Sequence, residues 1–159
     1  MAENTNVPAE KYLIFFVCEK RCALPSRIIS EVAVLEKVFP LPLVPDYVRG
    51  IINRYSIPYA LIDINALLFN DVSQAKKVIV LKEEFDKLAL LIDDVADIAD
   101  VPPEKLMDTG AEENADGGES QAGGSGSVNA YFEWKGNPVL CLDAGEIISR
   151  IKNDFEQKS

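Results

Sequence analysis

The stretch PLVPDYVRGIINRYSIPYALID, Pro42 to Asp63, decides how this chain folds. Its prolines at 42 and 45 fix φ and lack amide donors, so the backbone runs extended, turns before Tyr47 and admits no long helix. Val48, Gly50, Ile51 and Ile52 make a short apolar step. Asn53-Arg54-Tyr55-Ser56 is a polar turn, and Tyr59 to Ile62 is a second apolar run ending at Asp63. Two apolar runs about a polar turn predict strand, turn, strand. Asp63 predicts an N-cap for a short helical turn carrying Leu67 and Leu68, because its carboxylate can accept from the free amides there.

Composition sets the frame around this stretch. With 159 residues, 48% of them apolar, the chain can bury one sizeable core or two small ones sharing an interface. The net charge is -10, and the few Lys and Arg residues are scattered, so no basic stripe is present to neutralise phosphates or anionic lipid. That argues against nucleic acid and against direct membrane binding. The opening MAENTNVPAEK has neither a basic region nor an apolar one, and no apolar run approaches the roughly 20 residues that span a bilayer. A cytoplasmic protein is expected.

Cysteine and histidine content narrows the chemistry. Cys18, Cys22 and Cys141 are odd in number and sparse, unlike a disulfide framework. Cys18 and Cys22 could supply half of a zinc site, but such sites take four ligands and the chain has no histidine, so a hairpin position is the better reading. The missing histidine also removes Ser-His-Asp and Cys-His nucleophile activation. No phosphate loop, nucleophile elbow or metalloprotease motif is present, and no cofactor or metal is expected.

In chain order, a polar arm (residues 1 to 11, with fraying to about Glu10) precedes Tyr12 to Val17, which is apolar at every position as in a strand buried on both faces. Glu19-Lys20-Arg21 turns it into Cys22-Ala23-Leu24, a hairpin. Ser26 is expected to cap one helical turn, and Glu31 to Phe39 alternates like an edge strand. Beyond Leu68, Val78 to Leu81 and Leu88 to Ile92 flank the charged turn KEEFDK and repeat the first hairpin. A shift of 80 residues places Val48 on Val128, Pro58 on Pro138, Asp63 on Asp143 and Leu67-Leu68 on Ile147-Ile148. Two halves result, about 12 to 70 and 77 to 150. Short strands without helices long enough to cover a sheet predict a mainly β protein of two small antiparallel barrels.

Asp143 is expected to cap a C-terminal helix with Glu146 three residues on, while Leu142 staples to Ile147 and Ile148, Ile151 and Phe155 continue an apolar stripe. Asp93, Asp94, Asp97 and Asp100 lack the glycine turn and terminal Glu of a calcium loop and read as a solvated face. Residues 108 to 127 are acidic, rich in Gly and Ser and almost without apolar side chains, so a disordered loop is expected.

The residues then resemble a known family. Ile29-Ser30-Glu31-Val32 answers the V-x-E-[IV] step of the CheW-like family, the coupling proteins of bacterial chemotaxis, and Pro45 to Asn53 (PDYVRGIIN) answers its P-x-[FY]-[VI]-x-G-V-x-N stretch without a gap. Asp63-Ile64, LALLIDDVADIADVPPEKL and NPVLCLDAGEII resemble later parts of the pattern. The resemblance implies a CheW-like domain over residues 12 to 157, built as two intertwined SH3-like barrels with short helices and a C-terminal helix. It implies a non-catalytic adaptor at membrane-associated receptor arrays, joining a chemoreceptor tip to the regulatory domain of a CheA-type histidine kinase, with other CheW-like domains as further partners. By the same resemblance Ile29 and Glu31 face the receptor, and Val48, Arg49, Ile52, Asn53, Arg54 and Tyr55 face the kinase. Where the family has L-R-G, this chain has Arg54-Tyr55-Ser56. That departure opens a second reading, a divergent scaffold with a different motility or signalling partner.

Because a long surface insertion costs only about 0.6 kcal/mol of closure entropy per doubling of length, replacing residues 108 to 127 with a short Gly-Ser linker is expected to leave folding intact. A thermal melt should move by no more than about 3 °C.

Overall fold

The computed structural model describes residues 9–69, 76–108 and 128–158. Its first half runs β1 (Glu10–Val17), β2 (Lys20–Pro25), a 3-10 turn (Ser26–Ile28), β3 (Ile29–Val34), β4 (Val48–Arg54), β5 (Ile57–Asp63) and α1 (Ile64–Phe69). The second runs β6 (Lys77–Leu81), β7 (Leu88–Ile92), β8 (Asp94–Val101), β9 (Met107–Asp108), β10 (Val128–Trp134), β11 (Asn137–Leu142) and α2 (Ala144–Lys158). Further 3-10 turns lie at Glu83–Phe85 and Pro103–Lys105.

The strands form two sheets, ordered β8-β1-β2-β11-β10-β9 and β3-β6-β7-β5-β4. Each sheet takes one hairpin from either half of the chain. The joins are the parallel pairs β2 with β11 (Cys22 beside Leu140) and β7 with β5 (Leu88 beside Ala60). The barrels are therefore intertwined, as expected.

The repeat is deeper than the sequence shift indicated. In the second hairpins β4–β5 and β10–β11 the offset is 80 throughout, including a register shift between Val48 and Gly50 that recurs between Val128 and Ala130. Their turns match too: Tyr55 and Ser56 have φ 54° and 67°, Lys135 and Gly136 φ 53° and 81°. Two positive φ values belong to the tight turn whose twist suits a hairpin. For the first hairpins and edge strands the offset is 66, and the irregularity between Ile29 and Glu31 recurs between Val95 and Asp97. One barrel interior holds Tyr12, Ile14, Ala23, Phe132, Val139 and Cys141; these offsets turn them into Val78, Val80, Ala89, Ile52, Tyr59 and Leu61, which fill the other. Tyr12 and Phe132 pack ring on ring, centroids 5.7 Å apart, opposite the smaller Val139 and Cys141.

A third, larger core lies where the sheets meet, with Leu13, Phe15 and Leu24 from one and Ile62, Ile79 and Leu90 from the other. α2 closes it with Ile147 and Ile151, while Phe155 is exposed. Its cap is Asp143, whose Oδ1 accepts from Glu146 N at 3.1 Å. Tyr47 donates its hydroxyl to Asp154 and so pins the far end of the helix to the connector before β4. Burial first, and that bond second, push the Tyr47 hydroxyl pKa up.

Several sequence expectations change. β1 begins at Glu10, inside the expected arm, because Glu10 and Lys11 pair with Val101 and Asp100 of β8. Ser26 is the first residue of its turn and makes no side-chain cap; its carbonyl accepts from Ile29 N. β3 ends at Val34 instead of continuing to Phe39, since the chain leaves β6 after the Leu35 N to Lys76 O bond and crosses to β4. KEEFDK contains a 3-10 turn before its left-handed Asp86-Lys87. Asp108 pairs with Ala130, so the first residue of the expected loop is in a strand; residues 109–127 lie outside the described residues, as do 1–8 of the arm.

The crossing to β4 explains Gly50. Phe39 and Ile51 exchange two backbone bonds of 2.8 Å, and a Cβ on Gly50 (φ 140°) would stand 2.4 Å from Phe39 O and 2.8 Å from Val38 Cγ1. Gly136, by contrast, has nothing within 4 Å of its would-be Cβ. Gly50→Ala is expected to cost ~3 kcal/mol in urea denaturation through steric overlap and backbone strain, and Gly136→Ala about 1 kcal/mol from backbone strain alone.

Candidate interaction surface

The residues expected to meet partners lie on β3, β4 and the turn after β4. The second sheet curls so that its two edge strands, β3 and β4, approach each other, and Arg54 spans the seam to Glu31. Its Nε donates to Glu31 Oε2 at 2.9 Å and its Nη2 to Oε1 at 3.1 Å, a two-pronged pair that matches the planar guanidinium to the carboxylate. This bonding raises the Arg54 pKa further above its ordinary value. Tyr55 projects from the turn 79% exposed, with its hydroxyl 3.5 Å from Glu31 Oε1 and the Arg54 guanidinium 5.2 Å from its ring centroid. Glu31, expected to face a receptor, and Arg54 and Tyr55, expected to face a kinase, therefore form one cluster.

The other expected residues are placed differently. Ile29 is half-buried and packs against the shared core. Val48 and Ile52 are buried, Val48 in the shared core and Ile52 inside the second barrel, so they support the strand from beneath. Arg49 and Asn53 are exposed. Arg49 donates from Nη1 to Asp63 Oδ2 at 2.9 Å, while Asp63 Oδ1 accepts from Asn65 N and Ala66 N at the start of α1. The cap read from the sequence is thus also the anchor of Arg49, and Asp63 is only 1% exposed. Two unrelated donor sets around one buried carboxylate satisfy the charge that burial would otherwise penalise.

Sequence reasoning missed the open part of the seam. Between the Phe39–Ile51 bridge and the Glu31–Arg54 pair lies a groove of about 220 Å³ lined by Val34, Leu35, Phe39, Ile52 and Val78 with Glu36 and Lys37. Val32, Val34 and Phe39 are exposed there or beside it at 39%, 61% and 43%. The apolar residues at alternate positions 32 and 34 were the available signal, since an edge strand with one face on the core has little use for aliphatic side chains on the other.

The acidic residues of β8 behave as solvated side chains: Asp100 pairs with Lys11, Asp94 with Lys77, and Asp97 accepts from the Ile98 amide. Cys18 sits at the first hairpin turn and Cys22 is buried, four residues further into β2. Among the described residues no group of three or more Cys, Asp or Glu is placed to hold a metal.

Two interlocked barrels thus display a braced polar turn beside an apolar seam. The chain belongs to the CheW-like family, whose domain matches residues 11–152. Among solved structures, the scaffolding protein TtCheW from Thermoanaerobacter tengcongensis superposes with a TM-score of 0.72 at 14% identity, over 85% of this chain and 89% of that one. No curated protein matches the sequence. Family membership supports an adaptor role in chemotaxis. Among the described residues no helix is long and apolar enough to cross a membrane.

The side chains of Glu31 and Arg54 are 24% and 25% exposed, so solvent screens much of their attraction. A double-mutant cycle with Glu31→Ala and Arg54→Ala is expected to return a coupling of about 1 kcal/mol, falling as salt is raised.

Proposed function

We propose that this protein is a non-catalytic adaptor that joins a chemoreceptor tip to the regulatory domain of a CheA-type histidine kinase, within membrane-associated receptor arrays. The observation that carries the reading is Tyr55: an aromatic side chain 79% exposed on a tight turn, beside the Glu31–Arg54 pair. Aromatic side chains and arginines held ready in this way are the usual anchors of protein interfaces, because little side-chain freedom is lost on binding. Arg49 and Asn53 extend the same surface along β4, and the buried Val48 and Ile52 hold its shape. Ile29 and Glu31 on β3 form the receptor side. Since Arg54 bonds Glu31 directly, the two docking sides share one ion pair, a short route by which occupation of one could be felt at the other.

The alternative, a divergent scaffold for another signalling or motility partner, draws on the same turn. Arg54-Tyr55-Ser56 stands where the family pattern has L-R-G, so the exposed position carries a phenol instead of a guanidinium. A partner selected for that change would need a surface suited to an aromatic ring.

Tyr55→Ala is expected to weaken binding of the kinase regulatory domain about thirtyfold, a loss of ~2 kcal/mol, without changing the circular dichroism spectrum. Titration calorimetry beside Arg54→Ala checks this. Wild-type affinity in both folded variants would remove the turn from the docking site and leave the alternative scaffold.

A further inference from the structure

Tyr12 differs from the other residues that fill the barrels. The internal repeat matches it to Val78 of the second barrel, where an aliphatic side chain is enough to fill the space. Tyr12 packs its ring on Phe132 and brings a hydroxyl as well. The residue is 9% exposed, and that hydroxyl has no hydrogen-bond partner among the described residues. A phenol so buried ordinarily finds one, so the oxygen calls for an account.

The phenol faces a pocket. A cavity of about 380 Å³ opens near the start of α2, and Tyr12 lines it together with Ile28, Phe85, Leu106, Cys141 and Leu142. Burial, first, raises the Tyr12 pKa; Cys141 and Glu10 add to the rise, and Arg27 opposes it. Cys141 and Arg27 both line the pocket, so the hydroxyl end of the ring is the end that meets it. The volume falls at the low end of the range for small-molecule sites, about 300–1,000 Å³.

The polar groups select the ligand. Arg27 Nε donates to Glu10 Oε2 at 2.6 Å, and Asp143 Oδ1 accepts from Glu146 N at the start of α2, so the charges at the pocket are already engaged. An anion would meet Glu10 and Asp143, a cation would meet Arg27, and either would give up its hydration without an unpaired opposite charge to replace it. The group left over, the hydroxyl, is neutral and can donate. We propose that this pocket binds an uncharged organic molecule carrying a carbonyl oxygen on a ring or short chain, with the Tyr12 hydroxyl donating to the carbonyl and Ile28, Phe85 and Leu106 covering the apolar part. No described residue is shared with the seam groove, and the proposal does not rest on the adaptor reading.

The test titrates cinnamamide and cinnamate, alike in shape and different in charge, into isotope-labelled protein and follows the backbone signals by NMR. Cinnamamide is expected to bind in the low-millimolar range and to shift Ile28, Leu106 and Gly145 at the pocket, and cinnamate to bind at least roughly tenfold more weakly. Tyr12→Phe, which removes one oxygen and keeps the ring on Phe132, should weaken cinnamamide about fivefold, the size of one hydrogen bond. In the wild-type protein the Cζ signal of Tyr12 should move on the same titration curve, a readout that stands if the variant does not fold. Absence of shifts at the pocket, equal or tighter binding of cinnamate, a Tyr12 Cζ signal that does not move, or undiminished affinity in folded Tyr12→Phe would overturn the assignment.

Discussion

Neither barrel can close with strands from its own half of the chain. The parallel joins of β2 to β11 and of β7 to β5 each link residues from opposite halves, and everything else depends on them. They bring the two sheets face to face, which creates the shared core, and they leave β3 and β4 as the free edges of the second sheet. The braced turn exists because those edges then curl toward each other and must be tied. Phe39–Ile51 ties the connector after β3 to β4 with backbone bonds, Glu31–Arg54 ties β3 to β4 with charge, and the groove is what remains between the ties.

The two ties differ in what they tolerate. The backbone bridge needs a glycine at 50, because the crossing chain lies where any Cβ would stand. The ionic tie is adjustable: long side chains on both strands can meet from more than one starting position. Arg54, one residue from the arginine of the family pattern, makes this tie to Glu31, and Tyr55 takes the exposed place.

Much of the fold was legible in the residues because it depends on local chemistry. Alternation and turn composition located the hairpins, Asp63 and Asp143 marked both helix starts, and the shift of 80 was visible because Pro58/Pro138 and Asp63/Asp143 keep their identity. The shift of 66 was not, since positions such as Tyr12/Val78 and Glu31/Asp97 conserve only burial or charge, and the unequal connectors between β3 and β4 and between β8 and β10 hide the common register. For the interaction surface, residue types pointed to Glu31, Arg54 and Tyr55 separately. That they touch depends on the curl of the sheet, and the burial of Val48 and Ile52 depends on which face the register presents. Neither is written in spacing along one strand.

The interlocked topology also orders events in time. Cys22 finds its parallel neighbour in Leu140, far along the sequence, so the β1–β2 hairpin leaves the ribosome long before the strand that completes its pairing. Until β10 and β11 emerge, the open edge of β2 and one apolar face of the β1–β2 hairpin have no permanent cover, and a nascent chain paused in its second half would expose Tyr12, Ile14 and Ala23 to whatever chaperone is nearest. The domain is thus held by strands from both of its halves, and its first sheet is joined only when β11 arrives.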